Sequence, residues 1–219
     1  IQMKNIIQNI RRLFFDNTCV CCGEKASDNL IYLCYNCLDK IVRQKSLNKV
    51  GDTYYIWPYK GEFRKLLLEY KNNSRLALGK IISSLIEEEI FKVVYEEDID
   101  YIVPIPINFR REQIRGFNQV EEILKNLNYS FLKTNRVKNT KKMFKILDKE
   151  KRENNIKNSF KVDKEFKAKN ILIFDDIITT GATIEEFKRE LIKNGEVNKI
   201  VVFSLSASKT YMNSNKRMC

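Results

Sequence analysis

Runs of apolar residues alternate along the chain with amphipathic stretches, and together they predict strands followed by helices. Residues 171–174 are four consecutive large apolar residues followed by acids, which is typical of a strand buried on both faces of a parallel sheet. Strand-like runs also occur at 53–59, 101–107 and 199–205. Because apolar residues at helical spacing follow most of these runs, the pattern predicts an α/β fold.

The residues after the central run carry the clearest chemistry. Asp175 and Asp176 lie at the predicted carboxyl end of the strand, where ligands bind in open α/β sheets. Thr183 and Glu186 have the spacing of a capping box, so we expect a helix to start at about Ile184 and the preceding loop to cradle a phosphate. Carboxylates repel phosphate but accept hydrogen bonds from sugar hydroxyls or bind magnesium waters. The combination therefore indicates a phosphorylated sugar.

This stretch resembles the loop of type I phosphoribosyltransferases that binds phosphoribosyl pyrophosphate (PRPP). The likeness rests on four apolar residues, two acids, two variable residues and the sequence TTGAT. It implies that Asp175 and Asp176 hold the ribose diol. It also implies that the 5-phosphate is bound by Thr179, Thr180, Gly181, Ala182 and Thr183. The alternative interpretation is a Thr-capped helix after an ordinary strand.

A second strand–loop–helix unit carries cations in its loop. The strand at 101–107 is interrupted by Pro104 and Pro106, which end a central ladder, and Asn118 and Glu121 give a second helix-capping signal. The cations between them are Arg110, Arg111 and Arg115. Guanidinium groups pair well with phosphates, so these residues are candidates for pyrophosphate contacts, although each can equally be a solvated surface residue.

The remaining segments define the predicted organisation. Residues 136–157 hold nine basic and three acidic residues with poor apolar periodicity, so we expect a mobile basic flap from which Arg152 closes over the site. A linker is predicted near 46–52. The predicted parts are a helix plus tetracysteine module at 1–48, a PRPP-binding domain at 49–208 and a basic, frayed tail at 209–219.

Six cysteines are present, and four of them have metal-ligand spacing. Cys19 and Cys22 form one C-x2-C pair, and Cys34 and Cys37 form another. Two such knuckles supply four thiolates, which suits a closed, structural zinc site without a catalytic position. Cys21 can replace Cys22 as a ligand on spacing alone. Disulfides and a thioredoxin-like redox pair are the alternatives.

Composition adds limits on the function. A net charge of +12 favours polyanionic partners, although a generally basic proteome explains the same value. The chain has no histidine, which excludes Ser-His-Asp triads and histidine acid–base catalysis. No apolar run approaches the roughly 20 residues of a membrane span, and no secretory leader is evident, so we expect a cytoplasmic protein.

Several segments together resemble the ComF competence family over nearly the whole chain. They are the tetracysteine knuckle, Tyr59-x-Gly61, the VPIP sequence at 103–106, RGFNQ at 115–119, Arg152-x-x-Asn155-Ile156 and the PRPP loop. One departure is that Thr140 is followed by Lys141, Lys142 and Met143, where the family often has a Gln. The resemblance implies a phosphoribosyltransferase-like fold, a role in natural transformation and a helicase partner.

Two main hypotheses follow. In the first, the protein binds PRPP with magnesium and handles incoming single-stranded DNA in the cytoplasm. In the second, it is an active phosphoribosyltransferase acting on an unknown nucleobase or amine. Loss of pyrophosphate from ribose needs positioning and electrostatic stabilisation more than a strong base, so the candidate catalytic residues are Asp175, Asp176, Arg115 and Arg152. A zinc-knuckle nucleic-acid binder with a vestigial PRPP fold is a third alternative.

Binding of single-stranded DNA is expected from the basic charge combined with aromatic residues. The flap and the knuckle interleave cations with Tyr32, Tyr35 and Phe144. Cations can follow phosphates while aromatic rings stack on bases. The alternative is that these rings belong to the core and the charge only solvates the surface.

Overall fold

The structure is a computed structural model that describes residues 18–72, 75–137, 157–162 and 166–216. The strands are β1 Asn48–Val50, β2 Thr53–Pro58, β3 Tyr101–Pro104, β4 Asn135–Arg136, β5 Phe160–Lys161, β6 Phe166–Ile178 and β7 Gly195–Ala207. The helices are α1 Tyr35–Arg43, α2 Gly61–Asn72, α3 Leu76–Glu96, α4 Phe109–Arg115, α5 Gln119–Asn126, α6 Ala182–Lys193 and α7 Lys209–Lys216.

A five-stranded sheet forms the centre of the fold, in the order β1-β2-β7-β6-β3. Strands β2, β7, β6 and β3 are parallel, and β1 pairs antiparallel with β2 at one edge. Strands β4 and β5 form a separate antiparallel pair. The predicted α/β fold with a mostly parallel sheet is therefore confirmed, and the carboxyl ends of β2, β7, β6 and β3 meet along one edge.

The central strand alternates its side chains between two hydrophobic layers. Leu172 and Phe174 belong to the core shared with α2, α3 and α5, whereas Ile171 and Ile173 belong to the core shared with α6. All four are fully buried. Helices on both faces explain why the sequence shows an unbroken apolar run here rather than an alternating one.

Two predicted boundaries around this strand differ in the structure. β6 extends through Asp175 and Asp176 to Ile178, so the acids lie within the paired strand, near its carboxyl end, rather than after it. Helix α6 begins at Ala182 with Gly181 at the N-cap and no side-chain cap bond, which corrects the capping box predicted for Thr183. The reason is that Glu186 instead accepts a hydrogen bond from the backbone N–H of Asn158 at 2.6 Å.

Two other segments are also more ordered than expected. The predicted linker near 46–52 contains β1, because its backbone pairs with β2. The tail that was predicted to be frayed begins with α7. Ser208 precedes this helix, and its Oγ accepts a hydrogen bond from the backbone N–H of Tyr211 at 3.2 Å. The helix predicted before residue 17, most of the basic flap with Arg152 and Phe144, and Cys219 lie outside the described residues.

Candidate functional site

The two acids at the end of β6 point to opposite faces of the sheet. Asp176 is buried and shares its layer with α2 and α5. Its Oδ2 lies 2.8 Å from the Nζ of Lys71, the last cation of α2, and accepts a hydrogen bond from the side-chain amide of Gln119. The charge of Asp176 is thus compensated inside the protein rather than by solvent.

The RGFNQ sequence builds the α5 side of this contact. Gly116 has a φ of 83°, which ends α4, and Asn118 caps α5 by accepting from the backbone N–H of Val120 at 3.2 Å. Gln119 therefore lies on the first turn of α5, where its amide oxygen accepts from the guanidinium of Arg115. Burial lowers the pKa of Arg115, and the charge of Asp176 opposes that shift. Arg115, Gln119 and Asp176 form one hydrogen-bonded chain.

Asp175 is half-buried and has a different electrostatic environment. Burial, followed by the neighbouring charge of Asp176, raises the pKa of Asp175 to about 7, while Lys71 and Arg136 oppose the rise. Arg136 extends from β4 and places its guanidinium 5.2 Å from the ring of Phe160. This carboxyl group therefore changes its charge near neutral pH, unlike an ordinary exposed aspartate.

Three cations interact with the two carboxylates, and a fourth, Arg111, acts on two of those cations. Lys71 and Arg136 act on Asp175, Asp176 acts on Arg115, and Arg111 lowers the pKa of both Arg115 and Arg136 by repulsion. Burial is the larger cause of the lowered pKa of Arg136, which falls to about 10. Since four positive groups surround two negative ones, this edge of the sheet has a surplus of positive charge that favours an anion.

The loop after β6 has the backbone form of a helix-start anion site. Gly181 has a φ of 81°, in the region that favours glycine, and the 12-residue helix α6 begins at the next residue. Ser208, directly before α7, fixes the loop, because its Oγ donates a hydrogen bond to the carbonyl of Thr179 at 2.7 Å. A Cβ added at Gly181 would meet the ring of Tyr211 at 3.4 Å, and that ring is itself fixed by a 3.0 Å hydrogen bond to Thr53.

The structure thus brings together most of the residues predicted from the sequence. Arg115 is linked to Asp176 through Gln119, and the charge of Arg111 acts on Arg115. Arg110 is instead exposed at the start of α4, and its backbone N–H donates to Asn108 at 3.0 Å. Sequence reasoning missed Lys71, Gln119 and Arg136 as site residues. Gln119 could have been inferred from the sequence, because it belongs to the RGFNQ motif.

The four cysteines with metal-ligand spacing converge into one cluster. The Sγ atoms of Cys19, Cys22, Cys34 and Cys37 all lie within 4.8 Å of one another. The Cys22 and Cys34 sulfurs are 3.7 Å apart, close to the edge of about 3.8 Å expected for a tetrahedron with zinc–sulfur bonds of 2.3 Å. Cys34 also caps α1 by accepting from the backbone N–H of Cys37 at 3.5 Å. The donor set and its spacing fit zinc.

Cys21 is not part of the cluster. Its thiol donates to the backbone carbonyl of Glu62 at 3.4 Å, and its own carbonyl accepts from Lys65 Nζ at 2.6 Å. Burial is the largest cause that raises the pKa of Cys21 to about 12, so it stays a thiol. Between Cys21 and Cys22, the geometry selects Cys22 as the ligand, and Cys21 docks the cysteine module onto α2.

Within the described part of the chain, every helix is too short or too polar to cross a bilayer. The layered fold, the parallel sheet and the cysteine module define the class: an α/β protein with an N-terminal tetracysteine cluster.

Comparisons with known proteins carry the identification further. No protein-family model matches the chain. Competence protein ComFC of Streptococcus pneumoniae is 30% identical over 161 residues, which span 68% of this chain and 66% of that protein. Competence protein F of Haemophilus influenzae is 27% identical over 202 residues, or 84% and 83% of the two chains. DNA utilization protein YhgH of Escherichia coli K12 is 26% identical over 186 residues, or 81% and 78%. The chain belongs to the ComF family.

Proposed function

We propose that this protein binds PRPP with magnesium at the carboxyl ends of β3 and β6 and handles single-stranded DNA in natural transformation. The observation that carries the PRPP part is the pairing of two carboxylates with an anion-binding loop and four cations at one edge of the sheet. PRPP has matching parts, namely a diol, a 5-phosphate and a pyrophosphate.

Each part of PRPP has a counterpart in this site. Asp175 and Asp176 accept hydrogen bonds from the ribose diol, and the backbone from Thr179 to Thr183 binds the 5-phosphate at the start of α6. The pyrophosphate lies toward Arg111 and Arg115 on the α4–α5 side. Magnesium would be held by PRPP oxygens, water and Asp175, because Oδ2 of Asp176 already binds Lys71 and Gln119. It would supply charge neutralisation of the pyrophosphate.

The DNA part of the proposal rests on the relatives and on charge. Two of the relatives are named competence proteins and one a DNA utilization protein, and this chain carries a net charge of +12. Cationic surfaces with exposed aromatic rings bind single strands without sequence preference. We place this activity in the cytoplasm, with a competence helicase as the candidate partner, and we assign structural zinc to the cysteine cluster.

Calorimetric titration tests the PRPP part. We expect one site for PRPP in the presence of magnesium, and weaker binding of ribose 5-phosphate and of pyrophosphate alone, since each fills only part of the site. Equal affinity for pyrophosphate and PRPP would show that the protein recognises phosphate charge rather than the sugar.

The second candidate function, phosphoribosyl transfer, is favoured by the position of Asp175, which is half-buried next to Asp176 near the carboxyl end of β6. Burial and the charge of Asp176 raise the pKa of Asp175, which suits proton exchange with an acceptor. Release of pyrophosphate from PRPP on addition of a nucleobase or amine, measured with a coupled assay, would establish it. Binding of PRPP without pyrophosphate release supports the binding function instead.

A further inference from the structure

Two tyrosine–arginine stacks lie along α2, outside the acidic site. At the amino end of the helix, the Arg64 guanidinium lies 5.5 Å from the ring centroid of Tyr59. Beyond its carboxyl end, the Arg75 guanidinium lies 4.4 Å from the ring centroid of Tyr32, which belongs to the cysteine module. We call these four residues together with Lys60 the α2 track.

The charges of this surface are mostly positive once the ion pairs are considered. The two acids of the α2 surface are occupied, because Glu62 pairs with Lys40 at 3.8 Å and Glu69 with Arg75 at 3.7 Å. Lys60 and Arg64 are exposed. The amino end of this helix, which is about 18 Å long, therefore carries two exposed cations beside Tyr59. At the other end, Arg75 pairs with Glu69 and lies over the ring of Tyr32.

The α2 track also adjoins the proposed PRPP site. Tyr59 follows β2, and its backbone N–H donates to the carbonyl of Ala207 at the carboxyl end of β7, at 2.8 Å. Arg64 and Lys71 are seven residues apart, or about two helical turns, so they lie on one face of α2. Since Lys71 contacts Asp176, the face that carries Arg64 borders the acidic site.

We propose that the α2 track is a binding surface for single-stranded DNA, with guanidinium and ammonium groups contacting phosphates and the tyrosines stacking on bases. This inference rests on the proposed function and assigns its DNA part to a surface. Unpaired bases are required, because only a single strand presents its base faces to aromatic rings. Tyr35, three residues after Tyr32 in the cysteine module, is a further aromatic residue that is 57% exposed.

The test measures fluorescence anisotropy of a labelled oligo-dT of about 20 nucleotides, a length that exceeds typical single-module sites. We expect Lys60→Glu with Arg64→Glu to raise the Kd about tenfold or more. The slope of log Kd against log salt concentration should fall by roughly 1.4, because two phosphate contacts are lost and each contributes roughly 0.7 on a single strand. Tyr59→Leu should raise the Kd about fivefold or more with the salt dependence unchanged, because it removes stacking and no charge.

The matched control is Lys92→Glu with Lys167→Glu. Both lysines are exposed, the change in net charge is the same, and both lie near the amino ends of β3 and β6, away from the track. We expect less than a twofold change in Kd for this variant, in line with the small effect of distant charges at moderate salt. Metal content and far-UV circular dichroism confirm that each variant is folded.

The outcomes separate this inference from the proposed function. If wild-type protein binds the strand and the track variants bind equally well, the assignment to α2 is wrong while the proposed function stands. An equal loss in the control variant would show that net charge alone drives binding. Duplex DNA bound as tightly as the single strand would contradict the stacking role, and wild-type protein that binds no DNA would contradict the DNA part of the proposed function itself.

Discussion

The cysteine cluster and the acidic site are assembled in opposite ways. The four cysteines lie between residues 19 and 37, and short-range spacing alone brings their sulfurs within 4.8 Å. The acidic site instead gathers Lys71 from α2, Arg115 from α4 and Arg136 from β4 around the end of β6. Disruption of a site built from neighbouring residues should unfold only the module that contains it. A site assembled from several helices and strands depends on the whole sheet. The predictions below test this difference.

Loss of the metal should have the largest effect. Structural zinc contributes on the order of 10 kcal/mol to folding in zinc-finger peptides, so we expect Cys37→Ser to lose the metal and unfold the cysteine module. Cys21→Ser is the matched control, because Cys21 lies outside the cluster and a serine hydroxyl can still donate to Glu62. Metal analysis of protein purified without added zinc decides the point. A Cys37→Ser protein that keeps one equivalent of zinc would refute the assignment.

This contrast also explains what the sequence could predict. The cysteine ligands, the acids and the loop around Gly181 are continuous motifs, so their roles can be inferred from spacing. Lys71 and Arg136 carry no such pattern. Lys71 is one of several cations on an amphipathic helix, and Arg136 is the first residue of a segment rich in cations. Only the folded structure shows that Lys71 contacts Asp176 and that the charge of Arg136 acts on Asp175.

Removal of the buried countercharge should have the next largest effect. Lys71 and Asp176 have 21% and 7% of their side chains exposed, so Lys71→Met leaves a buried carboxylate without its cation. We expect a loss of about 3–5 kcal/mol in the free energy of unfolding, measured by urea titration. The double variant Lys71→Met with Asp176→Asn should recover part of this loss.

The exposed pair of Lys125 and Glu122 provides the comparison for Lys71. Its lysine side chain is 55% exposed, so Lys125→Met should cost less than about 1 kcal/mol. Equal losses in the free energy of unfolding for the two substitutions would show that the Lys71–Asp176 ion pair behaves as a solvent-exposed pair.

Changing the loop glycine should have a smaller effect on stability. Gly181→Ala places a Cβ at a φ of 81° and 3.4 Å from Tyr211, so we expect a loss of about 1–2 kcal/mol together with weaker binding of PRPP. Gly51→Ala is the control, because Gly51 also has a positive φ, of 59°, but lies in the turn between β1 and β2 and has nothing within 4 Å of the added Cβ. If both variants bind PRPP equally weakly, backbone strain rather than the phosphate loop explains the defect.

The raised pKa of Asp175 predicts a change in pH dependence rather than a loss. A carboxyl group with a folded pKa of about 7 binds its proton more tightly in the folded state. Its contribution to stability is therefore complete below the unfolded pKa, near 4, and decreases as the pH rises to about 7. Asp175→Asn should raise the unfolding temperature most at pH 8, with the gain shrinking toward pH 4. A gain independent of pH would contradict the raised pKa.

Binding of PRPP by the acid pair is the central claim, and calorimetry of one double variant tests it most directly. PRPP with magnesium is titrated into wild-type protein and into Asp175→Asn with Asp176→Asn, with metal content and circular dichroism confirming an intact fold. We expect saturable one-site binding by wild-type protein and no measurable binding by the folded double variant, because the diol loses both ionised acceptors. Normal PRPP binding by that variant would contradict the claim and remove the acids from the site.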